Sequence, residues 1–178
     1  LVVDAKTVAV DELADAVAET TAGGTRTTHF IGQWDVRQRS GDLDLTKTVK
    51  ASQVTFAADN GGITVAATGK IDASGARGGE ISLYSRNGDV RLSGALLANA
   101  TQFIENASNQ GTRGRGGKVT LGAEGGGKVI TDAGSVIDVG VATRTKEDGT
   151  TETSAAQGGK VTFRAGQSAE IANKTDLN

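Results

Sequence analysis

The 178-residue chain contains no cysteine, no proline and no methionine, and only one Trp, one Tyr and four Phe. The absence of cysteine excludes a disulfide framework and any thiolate metal site. The shortage of aromatic side chains excludes a wide core filled by large rings, so a narrow interior of Val, Ile, Leu and Ala is expected. No apolar run approaches the roughly 18 residues that a membrane span requires, and we expect no membrane insertion.

A short phrase recurs along the chain: two glycines, one spacer residue and an alternating hydrophobic strand. It occupies residues 78–83, 116–121 and 158–163, and a weaker copy at 61–65 lacks the spacer. Repetition of this kind indicates one small unit that cannot bury its apolar face alone and stacks on copies of itself.

Other period-2 segments lie between the double-glycine strands, so that three short strands make one unit. The units comprise residues 54–56, 63–65 and 71–73; then 81–83, 90–92 and 96–97; then 119–121, 129–131 and 137–139; a fourth begins at 161–163 and continues at 171–172. Glycine at the corners permits backbone conformations that a Cβ makes costly. The pattern predicts an all-β fold: a right-handed parallel β-helix, or triangular β-solenoid, with three short strands per coil.

Residues 1–24 are predicted to form an N-terminal helix or loop segment that packs on the solenoid repeats of residues 25–178. Apolar residues at helical spacing, with acidic residues near the front, predict a short helix within residues 8–20 that Gly23 and Gly24 end. Residues 26–31, 34–37 and 41–45 are predicted to be strands of an earlier, less regular coil.

Two long insertions, near residues 98–116 and 140–158, follow the third strand of successive units and should project from the same edge of the solenoid. Insertions confined to one edge of a repeat protein are often its binding surface. The alternative is tolerated loop variation with no partner. The candidate binding residues on this edge are Phe103, Arg113, Arg115, Arg144, Lys146, Glu147 and Asp148.

The double-glycine strands, together with Gly-Lys-Ile-Asp-Ala-Ser-Gly at 69–75 and Gly-Asp-Val-Arg-Leu-Ser-Gly at 88–94, resemble the passenger region of filamentous hemagglutinin-type exoproteins. These are large bacterial adhesins exported by two-partner secretion, and the resemblance runs from about Val8 onward. It implies a secreted or cell-surface location and a rigid stalk that displays loops for adhesion. The implied partners are a host-cell or matrix glycan or protein and, for the parent protein, an outer-membrane transporter. The family's secretion domain has Asn-Pro motifs, which a proline-free chain lacks, so an internal or distal fragment is expected.

Two alternatives stay open. Unpaired end strands would allow copies of the chain to polymerise end to end into an extracellular filament or matrix. Parallel β-helices also include carbohydrate-active enzymes, which need clustered carboxylates. Asp72 and Asp138 hold equivalent third-strand positions, and Asp89 precedes a second strand, but we interpret these residues as turn aspartates.

We therefore predict no enzyme activity, no cofactor and no metal. His29 is the only histidine, and a lone histidine cannot build a His-based zinc site. The glycine-rich tract at 111–117 lacks interleaved aromatic residues, and the chain carries a net charge of −2, so no nucleic-acid partner is expected.

Overall fold

The computed structural model describes residues 1–20, 26–28, 31–105, 114–172 and 176–177. Strands account for 48% of the fold and helix for 5%, so the prediction of an all-β protein with one short helix is confirmed. The elements, in chain order, are β1 (Val2–Ala5), α1 (Val10–Ala16), β2 (Ala18–Thr20), β3 (Arg26–Thr28), β4 (Ile31–Gln38), β5 (Leu43–Leu45), β6 (Thr48–Ala58), β7 (Ile63–Val65), β8 (Lys70–Asp72), β9 (Glu80–Ser85), β10 (Val90–Leu92), β11 (Ala95–Leu97), β12 (Lys118–Ala123), β13 (Val129–Thr131), β14 (Val136–Asp138), β15 (Thr143–Thr145), β16 (Thr151–Thr153), β17 (Lys160–Ala165), β18 (Ala169–Ile171) and β19 (Asp176–Leu177).

The repeated strands pair in parallel, each with its equivalent from the neighbouring three-strand unit. A five-stranded sheet has the order β18-β13-β10-β7-β5. A ten-stranded sheet has two arms that meet at β6, because β6 is long enough to take part in both. Its first arm contains β1, β4, β6, β9, β12 and β17, and its second arm contains β6, β8, β11, β14 and β19. The predicted parallel strands are therefore confirmed, although the second strand of the fourth unit is Ala169–Ile171 instead of residues 171–172.

The core consists of inward side chains that stack from one unit onto the next. Strand β9 shows why, because its residues alternate strictly between half-buried and buried. Each fully buried aliphatic side chain contributes about 1.5–3 kcal/mol to stability, so the ladders hold the units together. Two ladders in the first arm, with every member 0% exposed, are Trp34, Val54, Ile81 and Val119, and Val36, Phe56, Leu83 and Leu121.

The double glycines lie where neighbouring units approach most closely. A Cβ added to Gly117 would lie 2.2 Å from the carbonyl oxygen of Gly79, and one added to Gly79 would lie 2.1 Å from the carbonyl oxygen of Ser52. Only glycine fits such a corner without moving the backbone, which accounts for the repeated Gly-Gly pair.

Helix α1 covers the first edge of the five-stranded sheet. Its buried residues are Val10 and Ala14, and it packs against β5. The carboxylate of Asp11 accepts hydrogen bonds from the backbone amides of Thr46 and Lys47 at 3.0 and 3.2 Å. These amides would otherwise face solvent at the end of the stack, so α1 protects an edge that is open to pairing.

The N-terminal segment corrects three predictions. Helix α1 ends at Ala16 rather than at the glycines, and Ala18–Thr20 is already a strand. Strand Arg26–Thr28 pairs antiparallel with it instead of joining the stack, while His29 lies outside the described residues. Strand Val2–Ala5 was not predicted, yet it extends the first arm by pairing in parallel with β4. The β-branched residues Val and Thr in these three segments favour strand over helix.

Candidate functional site: the insertion edge

The three connections that follow β8, β11 and β14 start in register at one corner of the stack. Gly75 forms a parallel bridge with Ala100, and the amide of Ala100 donates to the carbonyl of Gly140 at 3.0 Å. The predicted common edge therefore exists for the described residues, and we call residues 98–105 and 140–157 the insertion edge. A groove of about 550 Å³ lies at its base, lined mainly by the backbone and small side chains of residues 99–101 and 140–143.

The second insertion folds into an exposed hairpin. Strands β15 and β16 pair antiparallel, with Arg144 opposite Glu152. The turn is closed by Asp148, whose carboxylate accepts bonds from the hydroxyl and the amide of Thr150 at 2.6 and 2.9 Å. Both bonds lower the pKa of Asp148, and the bond from the Thr150 hydroxyl has the larger effect. Gly149 follows with φ of +81°, a conformation that suits glycine.

A buried serine fastens the hairpin to the first insertion. The Oγ of Ser154 accepts a hydrogen bond from the amide of Ile104 at 2.9 Å, and the amide of Ala155 donates to the carbonyl of Ile104 at 2.9 Å. Ser154 is only 5% exposed and Ile104 is 9% exposed. The hairpin is thus anchored at its base, although its strands lie in solvent.

Arg144 joins the two insertions electrostatically. Its guanidinium lies 4.2 Å from the ring centroid of Phe103 and donates to Glu105 at 2.8 Å and to Glu152 at 2.9 Å. Hydrogen bonding to Glu105 and Glu152 raises the pKa of Arg144 above its usual value. Arg144 therefore holds the edge together, and its charge is already matched within the chain.

The structure divides the predicted site residues into three groups. Phe103 and Arg144 touch each other, while Lys146, Glu147 and Asp148 form the exposed hairpin tip, where Lys146 lies 3.8 Å from Glu152. Arg115 lies at the double-glycine corner, where it donates to the side chain of Gln157, the last residue of the insertion edge. Arg113 lies outside the described residues. Three residues that fasten the edge were not predicted from the sequence: Glu105, Glu152 and Ser154. They could not be, because their partners are known only from the folded contacts.

The aspartates considered for catalysis serve turns and strand ends. Asp72 accepts the amide of Ser74 at 3.1 Å, and Asp138 accepts the amide of Gly140 at 2.8 Å. Leu97 lies between them in register, so the two backbones are about 10 Å apart. Asp89 accepts the amide of Lys128 in the next unit at 2.8 Å. Asp72 and Asp138 thus have the turn roles that the sequence predicted, whereas Asp89 bonds to the neighbouring unit instead of to its own turn.

Within the described residues no group of three or more His, Cys, Asp or Glu side chains is placed to hold a metal ion. The described residues also contain no helix that is both long and apolar enough to cross a membrane.

Comparison with protein-family models, with curated proteins and with solved structures found no match to this chain.

Proposed function

We propose that the chain is a right-handed β-solenoid, triangular in section with three short strands per coil, and that it is a rigid segment of a large secreted or surface-attached bacterial exoprotein. The observation that carries this proposal is the pairing of equivalent strands in one continuous parallel register. A stack in which each unit contacts only its neighbours is an extended rod rather than a globule. The resemblance to filamentous hemagglutinin-type adhesins supports the same role.

The insertion edge is the part of this rod that we propose to act in adhesion. Its hairpin is fastened by Ser154 and Arg144, so the exposed tip at residues 146–149 is presented in a defined position. A loop that is ordered before binding loses less conformational freedom on contact with a partner. The proposed partner is a host-cell or matrix glycan or protein.

Adhesion of coated beads tests the proposal. Beads carrying the wild-type chain should bind members of an immobilised panel of matrix proteins and glycans, and Lys146→Ala with Glu147→Ala should remove that binding while the circular dichroism spectrum stays unchanged. Lys6→Ala with Asp44→Ala is the matched control, since it removes one cation and one anion at exposed positions away from the edge. Equal binding by both variants would contradict a role for the hairpin tip.

End-to-end assembly is the second candidate, and the last unit favours it. Strands β17 and β18 each have one partner strand in the described part of the chain, and Ile171 is 43% exposed. At the opposite end, however, α1 covers β5 and Asp11 occupies the free amides. Assembly through the five-stranded sheet therefore requires α1 to move, whereas β1, at the same end of the first arm, has β4 as its one partner among the described strands. Light scattering over a concentration series should give a constant monomer mass, and rods that lengthen with concentration would favour assembly instead.

A further inference from the structure

The double-glycine corner forms a long groove of about 690 Å³ that runs along the stack. One wall is a ladder of side chains in successive strands of the first arm: Gln53, Glu80, Lys118 and Lys160 are Cα partners in that order. The other wall carries Arg77 and Arg115. Arg77 comes three residues before Glu80 of the ladder, and Arg115 comes three residues before Lys118. The groove spans neighbouring strands spaced about 4.8 Å apart, so its wall residues recur at that interval.

The floor of the groove is rigid backbone without side chains. Gly79, Gly117 and Gly159 cannot carry a Cβ, because it would lie 2.1–2.2 Å from a carbonyl oxygen of the preceding unit. The amide of Lys118 donates to the carbonyl of Gly79, and that of Lys160 to the carbonyl of Gly117, at 2.8 and 2.9 Å. Because these floor groups already bond within the stack, recognition of a ligand falls to the walls.

The walls are strongly positive in a chain that is slightly negative overall. Among the described residues, the groove is lined by four cations, Arg77, Arg115, Lys118 and Lys160, and by one carboxylate, Glu80, which gives a local charge of +3 against a net charge of −2. Glu80 is paired with Lys118 at 2.7 Å. Arg77 and Lys160, the first and last of the charged residues along the groove in chain order, are both exposed. A concave surface lined by one sign of charge attracts ligands of the opposite sign.

We infer that this groove binds a linear anionic polysaccharide whose chain lies along the stack axis. A ligand with acidic groups at regular intervals matches cations that recur from unit to unit, and the flat floor admits sugar rings without a side-chain clash. Single-stranded nucleic acid is disfavoured, because the described residues that line the groove include no aromatic side chain on which bases would stack. The inference names an anionic glycan as a partner within the proposed adhesive function and assigns it to the groove, which borders the insertion edge at Gln157, instead of to the hairpin tip.

Binding to three defined polymers tests the inference: polygalacturonate, dextran sulfate and neutral dextran. The wild-type chain should bind one or both anionic polymers, more weakly as salt is added, and should ignore neutral dextran. Binding of polygalacturonate alone would show that the site recognises carboxylates. Binding of both anionic polymers would show that it recognises regularly spaced negative charge of either kind. Failure to bind either anionic polymer would overturn the inference.

Charge reversal locates the site. Arg77→Glu with Lys160→Glu should weaken binding by about ten-fold or more, a loss of about 1.4 kcal/mol. Lys6→Glu with Arg86→Glu is the matched control, because it changes the net charge equally at exposed positions outside the groove. If the reversed groove variant is unstable, Arg77→Gln with Lys160→Gln serves instead. An equal loss in the control would show non-specific attraction and refute the site.

The two proposals fail separately. If the hairpin-tip variant loses bead adhesion while the groove variant binds both anionic polymers as wild type does, the groove inference is wrong and the adhesive edge stands. If the groove variant loses polymer binding while the hairpin-tip variant keeps bead adhesion, the groove stands and the edge does not.

Discussion

Alanine substitution at Gly117 should destabilise the fold, whereas the same substitution at Gly158, in the equivalent corner of the next unit, should not. A Cβ at Gly117 would lie 2.2 Å from the carbonyl oxygen of Gly79 and 2.5 Å from that of Ala98. Neither oxygen can retreat easily, since Gly79 accepts the amide of Lys118 and Ala98 accepts the amide of Gly117 itself, both at 2.8 Å. Overpacking of this kind costs about 1–3 kcal/mol, and we expect the upper end because the clash is with backbone.

Gly158 supplies the matched control. Among the described residues no heavy atom lies within 4 Å of a Cβ built on Gly158, and its backbone is not left-handed. Gly158→Ala should therefore leave the free energy of unfolding unchanged or raise it by about 0.4–1 kcal/mol, through the unfolded chain.

Urea unfolding followed by the fluorescence of Trp34, the only tryptophan, measures both variants. The stacked register predicts a lower midpoint for Gly117→Ala than for Gly158→Ala. Equal midpoints, or a larger loss in Gly158→Ala, would refute the close approach of units at this corner.

Two further predictions concern single contacts. A hydrogen bond to Glu124 and, to a smaller extent, burial raise the pKa of Tyr84 above its usual value of 10.0. The stability that this shift contributes is therefore fully present below pH 10.0 and is lost as the pH rises through the raised pKa. Glu124→Gln should lower the pKa, measured by ultraviolet titration of this only tyrosine; an unchanged titration would exclude the contact. Ser154→Ala leaves the buried amide of Ile104 without its side-chain acceptor, which should cost about 1–3 kcal/mol in urea unfolding, and Ser154→Thr is the control that keeps the hydroxyl.

The strands that the sequence predicts correctly are those with a buried alternation anchored by glycine. Residues 81–83 and 119–121 alternate inward and outward, and the glycine pair before each is required by the close approach of backbones. Burial leaves its period in the sequence, so such strands can be identified without a structure.

The elements that were missed have no such signal. Strands β15 and β16 are almost wholly exposed, so no alternation of burial marks them. Strand β1 joins the sheet at an edge where Val2 is 74% exposed. Edge pairing is decided by the partner strand, which local sequence does not encode.

The candidate sites were predictable only in part. The position of the insertion edge follows from the repeat, because insertions at equivalent positions must stack. The groove was not predicted, since Lys118 and Lys160 look like ordinary outward residues of strands until Arg77 and Arg115 are placed opposite them. Residues far apart in the chain form that wall, and only the parallel register brings them together.

Engineered cysteine pairs test the parallel register most directly, because the chain has no cysteine of its own. Ser82 and Thr120 are Cα partners in β9 and β12, about 4.8 Å apart, a distance that a disulfide spans. Ser82 and Lys118 lie two residues out of register, about 8 Å apart, which is too far. Under mild oxidation, mass spectrometry should find an intramolecular disulfide in Ser82→Cys with Thr120→Cys and free thiols in Ser82→Cys with Lys118→Cys. Free thiols in the first pair and a disulfide in the second would contradict the stacked arrangement.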